Sequence, residues 1–380
     1  MTDPFGTPER KALRALVRDF VTGAVLPHLD TWEREGELPR ALSAAAAGCG
    51  LLGAGYPEEV GGSGGDVLDV VVITEEVLLA GGSSGLLAGL FTHGIVLPSL
   101  LAAHDPGLVE RYVRPTLAGR LIGALAATEP DGGSDVAALR TRAVRDGDHY
   151  LVNGSKSYIT SGARADYAVV AARTGGTGAD GLSLLVIDAD APGYQVVRRL
   201  DKLGWRCSDT AELAFVDVRV PVVNLVGPEG GGFALLARTF AGERLMLAVQ
   251  AYATAQRCLD LTLDWVRQRH TFGRPLASRQ LVRHRLADLA RRIEVARTYT
   301  RSVAVRAAAG EPVVTEVAMA KNTAVEVCAA AVDQCLQLHG GYGFLRDAEV
   351  ERHYRDSRVF GIGGGASELM TEIIAKSLGV

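Results

Sequence analysis

At 380 residues the chain is long enough for two or three packed layers or domains around an ample core. A formal charge of −4, spread over short runs of mixed sign, leaves no basic footprint for nucleic acid. Five cysteines at no metal-ligand spacing read as reduced thiols of a cytoplasmic protein, and Cys328 and Cys335 as small core residues of one helix.

The N-terminal stretch carries acids and prolines and lacks the apolar run of a secretory leader. Leu13, Leu16, Val17, Phe20 and Val21 then follow the spacing of an amphipathic helix, which Pro27 closes. Pro57-Glu58-Glu59 and the glycine-rich run Gly61–Gly65 predict a loop. Between Val77 and His104 there is no Asp, Glu, Lys or Arg. Gly81-Gly82-Ser83-Ser84, His93 and Pro98 interrupt that stretch, which predicts buried helices and no membrane span. This first zone, residues 1–120, is helical.

Residues 121–227 change character. Asn153-Gly154, between Tyr150-Leu151-Val152 and Ser157-Tyr158-Ile159-Thr160, predicts a hairpin, because Asn-Gly tolerates the positive φ of a tight turn. Short β-rich runs follow at Tyr167–Ala172, Leu182–Ile187 and Leu213–Val220. Their close spacing predicts a small barrel or sandwich. In the third zone, 228–380, Leu286, Leu289, Ile293, Ala296, Thr300 and Val303 repeat at three-then-four spacing, the seam of a helix in a bundle. The fold class is mainly α with a central β domain.

Two glycine clusters stand out. Ala127–Asp135 combines hydroxyls with glycines that let backbone N–H groups approach a ligand, and with Tyr158-Ile159-Thr160 could line a polar ring system; an Asx-capped turn accounts for it equally. Gln337–Phe344 taken alone reads as a helix C-cap.

Together these segments resemble the acyl-CoA dehydrogenase family over nearly the whole chain. Thr128-Glu129-Pro130 through Ser134-Asp135 is similar to the family's first signature. Gln337-x-x-Gly340-Gly341-x-Gly343-Phe344-x-x-Asp347, with Arg352 and Asp356, is similar to its second. Arg206–Thr210 and Arg269–Gly273 fall between them in the family's order. Leu38-Pro39 and Pro57–Gly62 fit its N-terminal part. The resemblance implies an N-terminal helical domain, a middle β-barrel and a C-terminal four-helix bundle. It also implies FAD, an acyl-CoA or acyl-carrier thioester substrate, electron-transfer flavoprotein or another electron acceptor, and a homotetramer built as a dimer of dimers.

Carried over by position, the segment from Leu125 through Ala127, Thr128, Gly133 and Ser134, with Tyr158, Ile159 and Thr160, would hold the flavin ring. The family more often has Trp where Tyr158 stands. Arg269, Thr271, Phe272 and Gln280, with Gln337, Leu338, Gly340 and Gly341, would reach the FAD of a neighbouring subunit; a planar guanidinium suits a diphosphate. Ser134, Ser208 and Arg244 match substrate-side positions. Ser367 and Glu368 are expected near the flavin.

Many family members carry the catalytic glutamate in the loop after the second signature. Here that position is Gly364, which cannot take a proton. Isovaleryl-CoA and long-chain acyl-CoA dehydrogenases instead place it on a bundle helix before an arginine, and Glu243-Arg244-Leu245-Met246-Leu247-Ala248 resembles that segment. Loss at 364 and gain at 243 coincide, so the resemblance assigns the base to Glu243 and a hydrogen bond to the thioester oxygen to the Gly364 N–H. A weakly acidic α-proton requires such a desolvated carboxylate. Rival readings are a monooxygenase or oxidase of the same fold, a dehydrogenase acting on carrier-protein thioesters, and a non-catalytic flavin-binding or thioester-binding scaffold.

Overall fold

The structure, a computed structural model, describes residues 3–380. Its N-terminal part is helical: α1 (Pro8–Phe20), α2 (Leu29–Glu35), α3 (Arg40–Gly48), α4 (Val67–Leu79), α5 (Ser84–Leu90), α6 (His93–Ala102), α7 (Pro106–Leu108) and α8 (Arg114–Leu117). Thr7 caps α1 by accepting the Arg10 N–H, and Pro8 occupies the first turn, where its missing N–H costs nothing. Val17, Phe20 and Val21 are buried as the periodicity requires, but Leu16 is 40% exposed. Three residues beyond Leu13, it lies at the edge of the stripe that Val17, Phe20 and Val21 centre on α4. The apolar stretch Ser84–Ala102 is long enough to cross a membrane by composition, yet 61% of its apolar window is buried in the fold. It is divided between α5 and α6.

The middle of the chain forms one eight-stranded sheet, in the order β6-β7-β3-β2-β4-β5-β8, with β1 parallel to β4. The strands are β1 (Gly123–Ala126), β2 (Arg142–Asp146), β3 (His149–Thr160), β4 (Tyr167–Arg173), β5 (Leu182–Asp188), β6 (Tyr194–Arg199), β7 (Thr210–Pro221) and β8 (Leu225–Val226). Alternate residues explain why β4 is apolar throughout. Ala168, Val170 and Ala172 join the interior cluster with Tyr150, Val152 and Phe215, while Tyr167, Val169 and Ala171 pack against residues of the helical layer. The expected hairpin at Asn153-Gly154 does not form. β3 runs through it, with a break in register between Val152 and Gly154, and Gly154 takes φ 152°. A Cβ there would come within 2.5 Å of Thr141 Oγ1. The same backbone freedom serves a bulge instead of a turn. Asn153 Nδ2 donates to Asp217 Oδ1, and the Asp217 N–H donates back to Asn153 Oδ1, which locks that bulge. Strands β1, β2, β6 and β8 have no counterpart in the sequence reading.

The C-terminal part contains α9 (Gly232–Gln268), a two-residue hairpin of β9 (His270–Thr271) and β10 (Arg274–Pro275), α10 (Gln280–Ala308), α11 (Val314–His339), α12 (Glu349–Ser357) and α13 (Ser367–Ser377). The seam from Leu286 to Val303 is buried along α10, as its spacing predicts. Cys207, Cys258, Cys328 and Cys335 are buried thiols, whereas Cys49 is exposed. Asp356 of α12, fully buried, accepts the Trp205 N–H at 2.7 Å. Gly204 lies so close that a Cβ would stand 2.6 Å from the Arg355 carbonyl. Residues of the second signature and of the segment before Arg206–Thr210 thus fasten the sheet to the bundle.

Candidate active site

Glu243 lies on α9 beside the loop that joins α12 to α13. Gly364 in that loop has φ 64°, and a Cβ built on it would lie 3.6 Å from Glu243 Oε1. Positions 243 and 364, far apart in sequence, therefore open onto the same space. The Arg244 side chain turns away from its neighbour, its Nε donating to the Gly364 carbonyl at 2.8 Å. Lys321 of α11, fully buried, donates from Nζ to the Gly365 carbonyl at 2.7 Å. Glu243 itself is half-buried. Among the described residues it makes no ion pair within 4 Å and accepts no hydrogen bond, although Arg244 and Lys321 act on it by charge. Burial pushes its pKa up, and the two cations only partly offset that. A poorly solvated carboxylate without a partner is a strong base.

The loop of the first signature is built on a buried ion pair. Glu129 folds its turn back through N–H donation to the Gly132 carbonyl and its reciprocal. Its carboxylate accepts the N–H groups of Arg140 and Thr141 and the Lys156 ammonium at 2.9 Å. Burial disfavours charge on Glu129, but Lys156 and the donors outweigh it and hold its pKa low. Burial lowers Lys156 to about 8. Lys156 also donates to the Ala127 carbonyl, so the start of the motif is pinned to β3 at two points. One residue on, the Ser157 N–H donates to the Thr128 carbonyl, and β3 loses its register between Lys156 and Ile159. Tyr158 takes φ 61° there and is 69% exposed, while Ile159 is buried. Thr128 is thus held beside Tyr158, and a Cβ on the exposed Gly133 would stand 3.4 Å from Thr128 Cγ2. Ser134 is exposed, Leu125 and Thr160 are half-buried, and Ala127 is buried. An exposed aromatic wall, hydroxyls and free backbone at a tethered glycine loop fit a polar, planar ring such as a flavin.

Arg269–Gly273 forms the tip of the β9–β10 hairpin, with φ 50° at Phe272 and 76° at Gly273, the pair of positive values that a tight primed turn demands. Phe272 is 97% exposed. Arg269, Gln280, Gln337, Gly340 and Gly341 are exposed, and Thr271 is half-buried. The Leu338 carbonyl, by contrast, is occupied by the Trp265 indole N–H at 3.1 Å. Trp265 stacks on both His339 and Tyr342, at centroid separations of 5.1 and 5.2 Å, and stiffens the end of α11. Ser208, expected on the substrate side, is 1% exposed, and its hydroxyl is buried without a partner. The Gly89 backbone packs against it, and a Cβ on Gly89 would lie 3.4 Å from Ser208 Cα. Glu368 is exposed on the first turn of α13, and the Ser367 carbonyl is held by Asn322 Nδ2. Sequence reasoning missed Lys321. Its signal was a lysine within the apolar stripe Val317, Ala320, Ala324 and Cys328 of α11.

The acyl-CoA dehydrogenase N-terminal domain matches residues 7–120, the middle domain 124–218 and the C-terminal domain 230–379. A crystal structure of a putative acyl-CoA dehydrogenase from Mycobacterium smegmatis is 59% identical, with a TM-score of 0.98 and 99% of both chains covered. A probable acyl-CoA dehydrogenase of Bacillus subtilis is 35% identical over 98% of both chains. A glutaryl-CoA dehydrogenase from M. smegmatis, solved in complex with FADH2, is 26% identical, with a TM-score of 0.92 over 99% of this chain and 96% of that one. Matched along its whole length by the domains of one family and superposing on that family's solved members, this chain belongs to the acyl-CoA dehydrogenases.

Proposed function

We propose that the chain is an FAD-dependent dehydrogenase that desaturates the α and β carbons of an acyl thioester, with Glu243 as the base that removes the α-proton. The observation that carries this reading is the Glu243 carboxylate: raised in basicity, without an ion pair beside two cations, and abutting Gly364. FAD, when bound, supplies the acceptor for the β-hydride. Thr128, Gly133, Ser134, Tyr158 and Thr160 would hold its ring. Arg269, Phe272, Gln280, Gln337, Gly340 and Gly341, exposed in one chain, with the half-buried Thr271, would reach the cofactor of a neighbouring copy in a homotetramer. The chain's own task is the proton. Glu243 accepts it, and the Gly364 N–H steadies the negative charge that develops on the thioester oxygen, an interaction strongest in the transition state. Arg244, engaged with the Gly364 carbonyl, orients that loop. A separate acceptor such as electron-transfer flavoprotein would then take the electrons. Anaerobic mixing of the yellow protein with acyl-CoAs of several chain lengths tests this reading. Bleaching of the flavin is expected; none across the panel, with acyl-carrier thioesters included, would favour an oxidase, a monooxygenase or a scaffold.

Because burial raises the Glu243 pKa, the proton-accepting form is lost at a higher pH than for an exposed glutamate. The rate of flavin reduction at low substrate should fall as pH drops through a group titrating above the usual carboxylate range. A profile flat down to pH ~4, near the ordinary glutamate value, would contradict this.

The shared space of positions 243 and 364 predicts rescue. Gly364→Glu in a Glu243→Ala background is expected to raise reduction of straight-chain acyl-CoAs ~10-fold or more above Glu243→Ala alone, a small part of a general base's usual contribution. Recovery stays partial because φ 64° strains a residue with a side chain, and Leu247 Cδ1 stands 2.6 Å from the new Cβ. No recovery in a folded, flavin-loaded double variant would sever the link between the positions.

A further inference from the structure

We infer that Lys321 is a positioning residue for the proton-transfer site, holding the glycine loop against Glu243. The inference rests on the reading of Glu243 as the base. Lysine is rarely fully buried, because leaving water is costly for an ammonium. Here α11 carries one at 0% exposure and aims its Nζ at a backbone carbonyl, with no carboxylate within 4 Å among the described residues. A lysine kept inside without an ion-pair partner needs a reason beyond fold stability. The carbonyl it holds is that of Gly365, next to the Gly364 carbonyl held by Arg244. Gly364 and Gly365, at φ 64° and 100°, have no side chains to anchor them. Two cations from two helices supply that anchor, and Asn322 extends it by donating to the Ser367 carbonyl. The path of the loop is thereby fixed at the glycine that abuts Glu243.

The charged groups acting on Glu243 are Arg244 from its own helix and Lys321 from α11. The loop Gly361–Ala366 brings no charged side chain, Arg358 lies toward Gly361, and Glu368 of α13 is exposed. Burial, with Arg244 nearby, lowers Lys321 to about 8, so it remains largely cationic at neutral pH and restrains the rise of Glu243.

The test uses the flavin-loaded holoenzyme with Lys321→Met, which removes donor and charge, and Lys321→Gln, which keeps a donor. Expected for methionine is a ~10-fold or greater loss of reduction rate per bound flavin, the scale on which a misplaced reacting geometry acts. Its acid limb should move up by about one pH unit, as loss of a neighbouring opposite charge requires. Glutamine should show the same shift of the limb with a smaller loss of rate. Two readouts do not depend on turnover. Amide hydrogen exchange over residues 360–370 should quicken in the methionine variant. The infrared titration of the Glu243 carboxyl, identified by its disappearance in Glu243→Gln, should move to higher pH in both variants. If exchange or the infrared titration stays at the wild-type value in Lys321→Met, the inference is overturned, even if the variant is less stable or binds less flavin. Wild-type reduction by Glu243→Gln would instead remove Glu243 as the base, while exchange and infrared still report on Lys321.

Discussion

Replacing Glu243 by alanine should leave flavin bound and slow anaerobic reduction by acyl-CoA at least ~10³-fold, within the range lost when a general base is removed. The expectation follows from what the carboxylate lacks. With no partner to hold it, its contribution to the fold is small or negative, so the variant should remain folded. Linkage fixes the direction of the pH dependence. A carboxyl whose folded pKa is raised destabilises the fold at pH above that value and ceases to do so once protonated at low pH. Glu243→Gln should therefore melt at or above the wild-type temperature near neutral pH, with the gain vanishing in acid. A variant that loses activity together with stability would instead mark Glu243 as a structural residue.

The largest effect on stability is expected at Glu75. This carboxylate, 1% exposed on α4, accepts hydrogen bonds from Arg14 of α1, from Arg301 of α10 through two nitrogens, and from the Tyr252 hydroxyl of α9. One side chain thus ties the N-terminal helices to the bundle. Burial works against its charge, but Arg301, Tyr252 and Arg14 outweigh burial and hold its pKa low. Glu75→Ala leaves the buried Tyr252 hydroxyl and the Arg301 guanidinium without an acceptor, and should cost about 3–5 kcal/mol in urea unfolding, as for other broken buried pairs. Because the folded pKa is depressed, this contribution is present above the ordinary glutamate range and lost as pH falls through the folded value. The gap between wild type and variant should accordingly narrow in acid. A cost below about 1 kcal/mol at neutral pH, the level of a surface pair, would contradict the account.

Parts of the fold governed by one local rule were legible in the sequence. The α10 seam could be read because a helix with a single buried stripe repeats at fixed spacing, and β4 because a strand covered on both faces is apolar throughout. Asn153-Gly154 was misread because positive φ is equally the need of a bulge and of a turn, and only the pairing of β3 with β7 decides between them. Strand β6 escaped notice because five of its six residues are exposed and carry no alternating pattern. At the site, Glu243 was reached through resemblance; helical periodicity alone would make it an ordinary charged residue beside Arg244. Lys321 escaped because a lysine on a helix normally means solvent, and its burial depends on the carbonyl that a distant loop presents. The burial of Ser208 under Gly89 could not be read from its own segment, because it depends on a helix distant in sequence.

The central claim concerns a proton, and it can be measured without turnover. An acyl-CoA with sulfur in place of the β-carbon cannot yield a β-hydride, but its α-protons remain acidic. Incubated in D2O with the flavin-loaded protein, it should exchange α-hydrogen for deuterium with wild type and at no more than the uncatalysed rate with Glu243→Gln. Exchange by the glutamine variant at the wild-type rate would show that some other group takes the proton.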